Sequence, residues 1–476
     1  MGVAAAVRAS PAVRVLLVST YELGHQPLLL AGPAGFLRAG GHHVRTCDLS
    51  VEELDDAVLD WAQVVAVAVP MHTATRLARG VVERARRRRG DAVRIVLYGL
   101  YAPHGQSSMP PGCVDAAIGG EFEAELASFV AGAPSVRPVV LDRLSFVAPD
   151  RRGLPPLSRY ARLLWRGEER LAGYVETTRG CVHRCRHCPV PVVYDGRIRV
   201  MPRALIVADA VRQWEMGARH LTLGDPDFLN AVPHALAVAR DLHAALPDLT
   251  FDITTKIEHI VRHRQVFAEL AGLGCIFVVS AVESTDATVL RILDKGHTHA
   301  DTLTALGVLR AQGLELRPSL LPFTPWSGLG SYLELLDFVA ACDLTESVDP
   351  VQLSIRLLLP AGSLLLDHPE MLPHLTATSD ASGYGWRHPD VAVDRLAAAV
   401  ADTVATAADG GEPPRVTHRR IRGMAAAAAG EAGIDWHAAP LPSAPRGSAG
   451  WERPRLSEPW FCCAEPTGAQ LGAARR

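Results

Sequence analysis

The most unusual shortage in this chain of 476 residues is that of lysine. Of its 48 basic residues only Lys256 and Lys295 are lysines, and all the others are arginines. An arginine carries a planar, forked guanidinium, whereas a lysine carries a compact charge on a thin stem. A chain that avoids lysine nearly everywhere is expected to keep it where a guanidinium does not fit. Both lysines are therefore candidate site residues, with chance survival as the alternative.

A charge excess and long apolar runs are absent as well. The formal net charge is −3, so charge gives no reason to expect a nucleic acid or an acidic membrane surface as a partner. No apolar run reaches the length of a membrane span. The apolar residues 13–18 are too few and too β-branched for the core of a secretion signal, and they predict a first strand instead.

Cysteine is sparse, and its distribution is uneven. The chain has nine cysteines, three of which lie within eight positions of one another, at 181–188. This distribution argues against the disulfide scaffold of a small secreted protein. We therefore expect a cytoplasmic protein in a reducing environment, and one that is sensitive to oxygen.

The stretch LAGYVETTRGCVHRCRHCPVPVVYDG (171–196) carries the clearest chemical signal. Cys181, Cys185 and Cys188 stand in a C-x3-C-x2-C spacing, after an alternating apolar run that predicts a strand and a turn at Arg179-Gly180. Three thiolates in one loop make a pocket for a soft metal. Zinc loops usually add a second pair of cysteines or histidines, which does not follow here. Three thiolates suit an iron–sulfur cube with one open iron, and a structural zinc loop is the alternative.

This loop resembles the signature of the radical S-adenosylmethionine (radical SAM) superfamily. The resemblance implies a 4Fe–4S cluster on Cys181, Cys185 and Cys188, whose open iron chelates the amino and carboxylate groups of S-adenosylmethionine (SAM). Reduction, with electrons from a donor such as flavodoxin or ferredoxin, then cleaves a C–S bond and usually gives a 5′-deoxyadenosyl radical. His187 stands where the family often has an aromatic residue near the adenine.

The predicted second and third strands end in further candidate cofactor-binding residues. Gly224 and Asp225 follow the second strand and match in part a family motif that holds the methionine amino group. Lys256 ends the third predicted strand, 251–256. In an α/β barrel these carboxyl ends form the active face.

The fourth predicted strand, 275–282, leads to a second group of candidates. Glu283 and Ser284 follow it, and Lys295 comes twelve positions after Glu283. The resemblance implies that Glu283 accepts hydrogen bonds from ribose hydroxyls and that Lys295 pairs with the methionine carboxylate. A surface ion pair between Glu283 and Lys295 is the alternative.

Strands and helices alternate over residues 13–132, which predicts a Rossmann-like, doubly wound parallel sheet. This part resembles the cobalamin-binding domain that precedes many radical SAM cores. The Asp-x-His-x-x-Gly motif of that family is absent: the loop after the first strand reads TYELGHQ (20–26), and the spacing of His25 does not match. Cobalamin held without a protein ligand, and a docking or substrate-recognition domain of the same fold, both stay open.

The rest of the chain divides into three predicted parts. Residues 133–166 are rich in proline and predict an extended linker. Residues 167–366 predict six strand–helix units, and so a partial (β/α)6 barrel of the TIM type with its site at the carboxyl ends of the strands. The sixth strand is placed at 351–359. Residues 367–476 form a C-terminal extension with a helix at 393–408 and a loop-rich tail.

Near the C-terminus, Trp460 and Phe461 precede the sequence Cys462-Cys463-Ala-Glu-Pro. This resembles the tail of the CUAEP/CCAEP-tail radical SAM proteins, some of which carry selenocysteine. Adjacent thiols bind thiophilic atoms. Cys462 and Cys463 are therefore candidate catalytic residues that present a metalloid, ligate a second cluster or turn over a substrate by redox chemistry. A cysteine pair without a role is the alternative.

These observations predict a radical SAM enzyme that modifies a small molecule or transfers a group to it, with the tail dithiol presenting a thiophilic substrate or doing redox work. A metalloid or metal carrier or sensor with a structural cluster is one alternative. A cobalamin-dependent radical SAM methyltransferase is another. A tRNA methylthiotransferase is disfavoured, because the N-terminal half offers only Cys47 and Cys113 rather than a second set of three cysteines.

Overall fold

The computed structural model describes residues 11–133, 135–380, 383–434, 436 and 453–458. It divides into two compact units. The first contains the described residues up to Glu22 and Pro27–Leu154, and the second contains Leu23–Gln26 and the described residues from Pro155 onwards. The short loop Leu23–Gln26 therefore leaves the first unit and packs within the second.

The first unit is a six-stranded sheet with helices between its strands. The strand order is β2-β1-β3-β4-β5-β6, and every neighbouring pair is parallel. The strands are β1 (Arg14–Ser19), β2 (His43–Asp48), β3 (Val64–Ala68), β4 (Arg94–Tyr98), β5 (Ala116–Gly120) and β6 (Val139–Val140). The helices are α1 (Leu28–Ala39), α2 (Asp56–Trp61), α3 (His72–Arg89), α4 (Ala102–Gly105) and α5 (Glu123–Val130). The predicted doubly wound sheet is confirmed.

Burial explains the choice of residues in this sheet. The central strand β3 reads VVAVA and all five of its residues are buried, as expected for a parallel strand covered on both faces. The edge strand β2 instead alternates between more and less exposed residues over its first four positions. The segment predicted as a linker begins inside this unit: β6 pairs with β5, and Asp150 forms an ion pair with Arg38 at 3.0 Å.

The second unit is built on a curled seven-stranded sheet in the order β14-β13-β12-β11-β8-β7-β17. Five neighbouring strands are parallel, and the hairpin strand β7 runs antiparallel to the first of them. The strands of this unit, with two small hairpins, are β7 (Arg162–Trp165), β8 (Glu168–Val175), β9 (Thr178–Gly180), β10 (Ile198–Val200), β11 (His220–Leu223), β12 (Thr250–Thr254), β13 (Cys275–Glu283), β14 (Glu315–Leu320), β15 (Leu375–Asp380), β16 (Gly383–Trp386) and β17 (Arg455–Leu456).

Helices connect the parallel strands and cover the outside of the sheet. They are α6 (Val190–Tyr194), α7 (Arg203–Glu215), α8 (Val232–Ala245), α9 (Ile257–Arg262), α10 (Val266–Gly272), α11 (Ala287–Leu293), α12 (His299–Ala311) and α13 (Leu329–Ala341), followed by α14 (Val391–Asp409) and α15 (Pro414–Glu431) in the C-terminal extension. The partial barrel of the TIM type is confirmed, and the helix predicted at 393–408 is part of α14. Within the described residues no helix is long and apolar enough to cross a membrane.

The predicted sixth strand, 351–359, is wrong as a strand. Pro350–Ser354 form a short 3-10 helix, and the segment contributes one isolated bridge, between Phe323 and Arg356. The reason is visible on β14, where the backbone N–H of Leu320 donates to the side chain of Gln352 at 2.7 Å. The side-chain oxygen of Gln352 thus accepts the hydrogen bond that a backbone carbonyl of a neighbouring strand would otherwise accept.

Candidate functional site

The cysteine loop begins at the carboxyl end of β8 and is closed at its base by a small hairpin. Strands β9 and β10 pair antiparallel, with Gly180 opposite Ile198. Gly180 has a φ of +76°, and a Cβ atom there would lie 2.2 Å from the carbonyl oxygen of Arg197. Only glycine meets both conditions, so the turn before the first cysteine depends on it.

The three cysteines are free thiols on this one loop. Cys181 and Cys185 are buried and Cys188 is partly buried, with the N–H of Cys188 donating to the carbonyl of Cys185 at 3.1 Å. Burial raises the pKa of Cys181. The loop is tied to the end of α11, because the N–H of Arg186 donates to the carbonyl of Leu293 at 2.9 Å.

A buried charged group lies beside this loop. Lys295 Nζ is 3.1 Å from Glu283 Oε1, and His187 Nε2 is 3.1 Å from the same oxygen. Lys295 is 3% exposed and Glu283 6% exposed, so this is not a surface ion pair. The structure therefore brings together three residues that the sequence placed at the cofactor.

The electrostatics of the pair favour both charges. Burial by itself would raise the pKa of Glu283, but Lys295 and His187 outweigh it and lower this pKa to about 2. Burial opposes the charge on Lys295, while Glu283 and the nearby thiols of Cys185 and Cys188 raise its pKa. The cation thus lies in the electrostatic reach of two cysteines of the loop, where it suits an anionic ligand group.

Gly224 and Asp225 lie against the strand that leads into the cysteine loop. A Cβ atom on Gly224 would fall 2.0 Å from the ring of Tyr174, so a larger residue here would have to displace that ring. The Asp225 carboxylate accepts hydrogen bonds from the hydroxyls of Thr177 (2.8 Å) and Thr178 (2.5 Å). Burial raises the pKa of Asp225 to about 6 despite these bonds. Its carboxylate therefore fixes the entry to the loop.

Lys256 and Ser284 occupy strand ends on the same side. Lys256 caps α9, is 8% exposed, and its ammonium lies 3.2 Å from Glu258 Oε2. Ser284 follows β13, and its hydroxyl accepts from the backbone N–H of Asp286 at 3.1 Å. Both lysines of the chain are thus nearly buried and paired with a glutamate at the carboxyl end of the barrel.

Sequence reasoning missed a group of polar residues next to the cysteine loop. His183 lies within the loop, Asp227 follows β11 and His259 lies on α9; the two histidine Nε2 atoms are 3.2 Å apart. Burial lowers the pKa of His183 to about 4, and the charge of Lys256 adds to this effect. The only signal for this group in the sequence was a second acid, Asp227, two residues after Asp225.

Two predicted features remain. Cys462 and Cys463 lie outside the residues that the structure describes. His25 belongs to the second unit, where its ring packs 4.9 Å from that of Tyr174. Burial and nearby His220 lower the pKa of His25 to about 3. His25 is thus a buried ring within the second unit.

Comparison with known protein families identifies the central part of the second unit. Residues 175–334 match the model of the radical SAM superfamily. The matched region begins at the last residue of β8, contains the three cysteines, and extends through β14 into α13. It includes Glu283, Lys295 and the other predicted cofactor-binding residues.

Two curated proteins resemble the chain at about one quarter sequence identity. The hopanoid C-3 methylase of Methylococcus capsulatus (strain ATCC 33009 / NCIMB 11132 / Bath) is 24% identical over 349 residues, which cover 65% of this chain and 64% of that protein. The tRNA-2-methylthio-N(6)-dimethylallyladenosine synthase of Chlorobium chlorochromatii (strain CaD3) is 26% identical over 149 residues, covering 30% of this chain and 32% of that protein. The chain thus spans less than two thirds of either relative.

Solved structures share the fold over most of the chain. The radical SAM methyltransferase TsrM from Kitasatospora setae, with tryptophan substrate and a SAM analogue bound, aligns with a TM-score of 0.58 at 19% identity, covering 78% of this chain and 79% of that one. The cobalamin-dependent SAM radical enzyme OxsB, with aqua-cobalamin and SAM bound, aligns with a TM-score of 0.62 at 16% identity, covering 82% and 66%.

Residues 175–334 thus match a radical SAM domain, and such a domain implies a 4Fe–4S cluster and SAM as cofactors. The donors described above fit these groups. Three free thiols on one loop suit a cube with an open iron. The buried Lys295 beside that loop suits a carboxylate.

Proposed function

We propose that this chain is a radical SAM enzyme and, within that class, a cobalamin-dependent methyltransferase of a small molecule, with cobalamin held by the first unit. The observation that carries this proposal is the combination of folds. A doubly wound parallel sheet and a radical SAM half-barrel occur in one chain, and the cobalamin-dependent enzyme OxsB, solved with aqua-cobalamin bound, aligns with 82% of it.

We assign the residues of the barrel as follows. Cys181, Cys185 and Cys188 hold the cluster, and Lys295, oriented by Glu283, binds the carboxylate of SAM. When bound, the cluster and SAM supply the reductive cleavage of a C–S bond, and cobalamin supplies a carrier for a methyl group. His187 keeps Glu283 in place through its ring nitrogen, while Gly224, Lys256 and Ser284 line the same strand ends.

The first unit fits cobalamin through its fold, but not through a histidine ligand from its first loop. The sequence lacks Asp-x-His in that loop, and the ring of His25 is enclosed against Tyr174 in the second unit. We therefore infer that cobalamin is bound without a ligand from residues 20–26. An electron donor such as flavodoxin or ferredoxin would serve as the partner that supplies electrons.

The proposal predicts that protein reconstituted anaerobically with iron, sulfide and cobalamin retains cobalamin and methylates a small molecule. The measurement uses SAM with a deuterated methyl group, a reductant and a pool of cell metabolites, followed by mass spectrometry. We expect one product whose mass rises by one deuterated methyl group. The matched control is the same protein reconstituted without cobalamin. It should form no more than a background amount of the methylated product.

Two outcomes would contradict different parts of this proposal. Cleavage of SAM without any retained cobalamin would remove the methyltransferase assignment and leave another radical modification of a small molecule. Absence of SAM cleavage in protein with a full cluster would instead favour a carrier or sensor with a structural cluster.

We further propose that Cys462 and Cys463 present a thiophilic substrate to this site. The support is the described segment just before them. Strand β17 pairs antiparallel with β7, which is antiparallel to β8, so β17 runs in the direction of the barrel strands. Arg453 anchors it, with Nη2 2.6 Å from Asp343 Oδ2. Extended chain covers about 3.3 Å per residue, so the four steps from Glu458 to Cys462 keep the tail cysteines within about 13 Å of Glu458.

Replacing both tail cysteines by serine is expected to leave SAM cleavage unchanged and to abolish the methylated product, because serine does not bind thiophilic atoms as a thiol does. The measurement counts cleaved SAM and product in the same reaction. The control replaces Cys113, a partly buried cysteine of the first unit, by serine and should change neither quantity. An unchanged amount of product from the tail variant would contradict the role of the dithiol.

A further inference from the structure

We propose a second metal site in this protein, in which His183, Asp227 and His259 bind one divalent transition-metal ion. One nitrogen of each histidine and one carboxylate oxygen lie within 4.8 Å of one another. The three residues come from the cysteine loop, the loop after β11 and helix α9. None of them is a thiol, so this site is separate from the proposed cluster ligands.

Asp227 is built to offer one oxygen. Its side chain is fully buried, and Oδ1 accepts from the hydroxyl of Thr255 at 2.6 Å and from the N–H of Leu229 at 3.1 Å. Oδ2 has no hydrogen-bond partner among the described residues. It lies 3.7 Å from His183 Nε2. A buried carboxylate oxygen without a partner destabilises the folded chain. A bound cation would supply the missing partner.

Both histidines lie close to Asp227 Oδ2. His259 Nδ1 is 2.9 Å from Asp227 Oδ2, yet neither atom forms a hydrogen bond within the described part of the chain. The distance is short enough for a hydrogen bond, but the directions are wrong, since such a bond requires the N–H to point at the oxygen. This argues against proton transfer between His259 and Asp227. A carboxylate oxygen and an imidazole nitrogen that approach closely without a hydrogen bond are an arrangement that a shared ion would stabilise, with the two histidine rings in contact beside it.

The donor set indicates the kind of ion. Two imidazoles and one carboxylate are the ligands of mononuclear Fe(II) sites and of catalytic zinc sites, and both leave coordination positions open. Thr255 supports the ligating carboxylate in the way that outer-shell groups usually do. Glu258, whose Oε2 lies 3.9 Å from His183 Nδ1, can orient that ring from the other side. The open positions suit an anionic or soft donor atom of a substrate beside the cysteine loop.

The test uses full-length protein with its cluster reconstituted, treated with chelator and then equilibrated with equimolar zinc. X-ray absorption at the zinc edge should give a first shell of nitrogen and oxygen at about 2.0–2.1 Å. His259→Gln should weaken zinc binding by more than about 100-fold, because even outer-shell changes cost about 10–100-fold in affinity. Thr255→Val removes only a group that supports the ligand Asp227, so it should weaken zinc binding by about 10–100-fold. His263→Gln, on the same segment but not a proposed ligand, should bind zinc as the parent does.

The measurements also contain the contrary results. A sulfur shell at about 2.3 Å would mean that zinc occupies the cysteine loop, and the site would not exist. Equal affinities for the parent, His259→Gln and Asp227→Asn would exclude it as well. Asp227 also caps the short helix Phe228–Ala231, so His259→Gln is the variant that leaves this cap intact. Mössbauer spectra of protein loaded with iron alone would show whether high-spin Fe(II) occupies the site in place of zinc.

Discussion

Replacing Lys295 by methionine should destabilise the second unit by about 3–5 kcal/mol, because it leaves the buried carboxylate of Glu283 without its cation. The two charged atoms are 3.1 Å apart, and both side chains are almost completely buried. The measurement is urea unfolding at neutral pH, followed by the unit's own tryptophan fluorescence. Lys256→Met is the matched control. Its partner Glu258 is one-third exposed and can be solvated when the lysine is lost, so the cost should be smaller.

The double variant Glu283→Leu/Lys295→Met separates stability from function. Apolar residues of similar volume often replace a buried ion pair without loss of stability, so the double variant should recover most of what Lys295→Met loses. It should not recover SAM cleavage, since the charged group that we assign to the SAM carboxylate is gone. Lys295→Arg keeps the charge but changes its shape, and we expect it to fold and to cleave SAM poorly. A Lys295→Met cost no larger than that of Lys256→Met would contradict the assignment.

The pH range of these experiments follows from the direction of the two shifts. The pKa of Glu283 is lowered to about 2, below its ordinary value of 4.5, so its stabilising contribution is complete above pH 4.5 and is lost as the pH falls towards 2. The pKa of Lys295 is raised above 10.5, so its contribution is complete below that pH and is lost only in more alkaline solution. Between pH 6 and 8 neither group titrates. The loss of stability caused by Lys295→Met should therefore be the same throughout this range.

Local patterns made much of this site predictable. The cysteine spacing lies within eight residues, and the apolar strands β3 and β13 stand between clear turns, so neither requires knowledge of distant contacts. Glu283 and Lys295 could be placed by their resemblance to a family, and they do meet. Their burial was not predictable, because it depends on α11 closing over the cysteine loop through Arg186 and Leu293.

What escaped prediction depends on contacts between distant segments. His183, Asp227 and His259 are far apart in sequence, and only the parallel register of β8, β11 and β12 brings their loops to one edge. The loop Leu23–Gln26 packs in a unit that begins more than a hundred residues later. Periodicity carries no information about such long-range choices, since each segment satisfies its own local preferences in either place.

The largest functional effect is expected from Cys185→Ala, which should reduce both the cluster content and SAM cleavage to background. In our assignment three thiolates hold the cube and leave the fourth iron for SAM, and the loop offers no fourth cysteine as a replacement. The measurement counts iron and sulfide per chain after anaerobic reconstitution, together with cleaved SAM. Since Cys185 is buried, circular dichroism should first establish that the variant is folded.

Cys275→Ala is the matched control for this experiment. Cys275 is also a buried free cysteine of the second unit, but it lies at the start of β13, and burial raises its pKa well above that of a reactive thiol. Its loss should lower stability modestly and leave iron, sulfide and SAM cleavage at parental levels. If Cys185→Ala kept its iron and its turnover, the open iron could not depend on three thiolates of this loop. A cluster lost from both variants would instead reflect a general loss of folding, and the comparison of the two thus separates ligation from structural support.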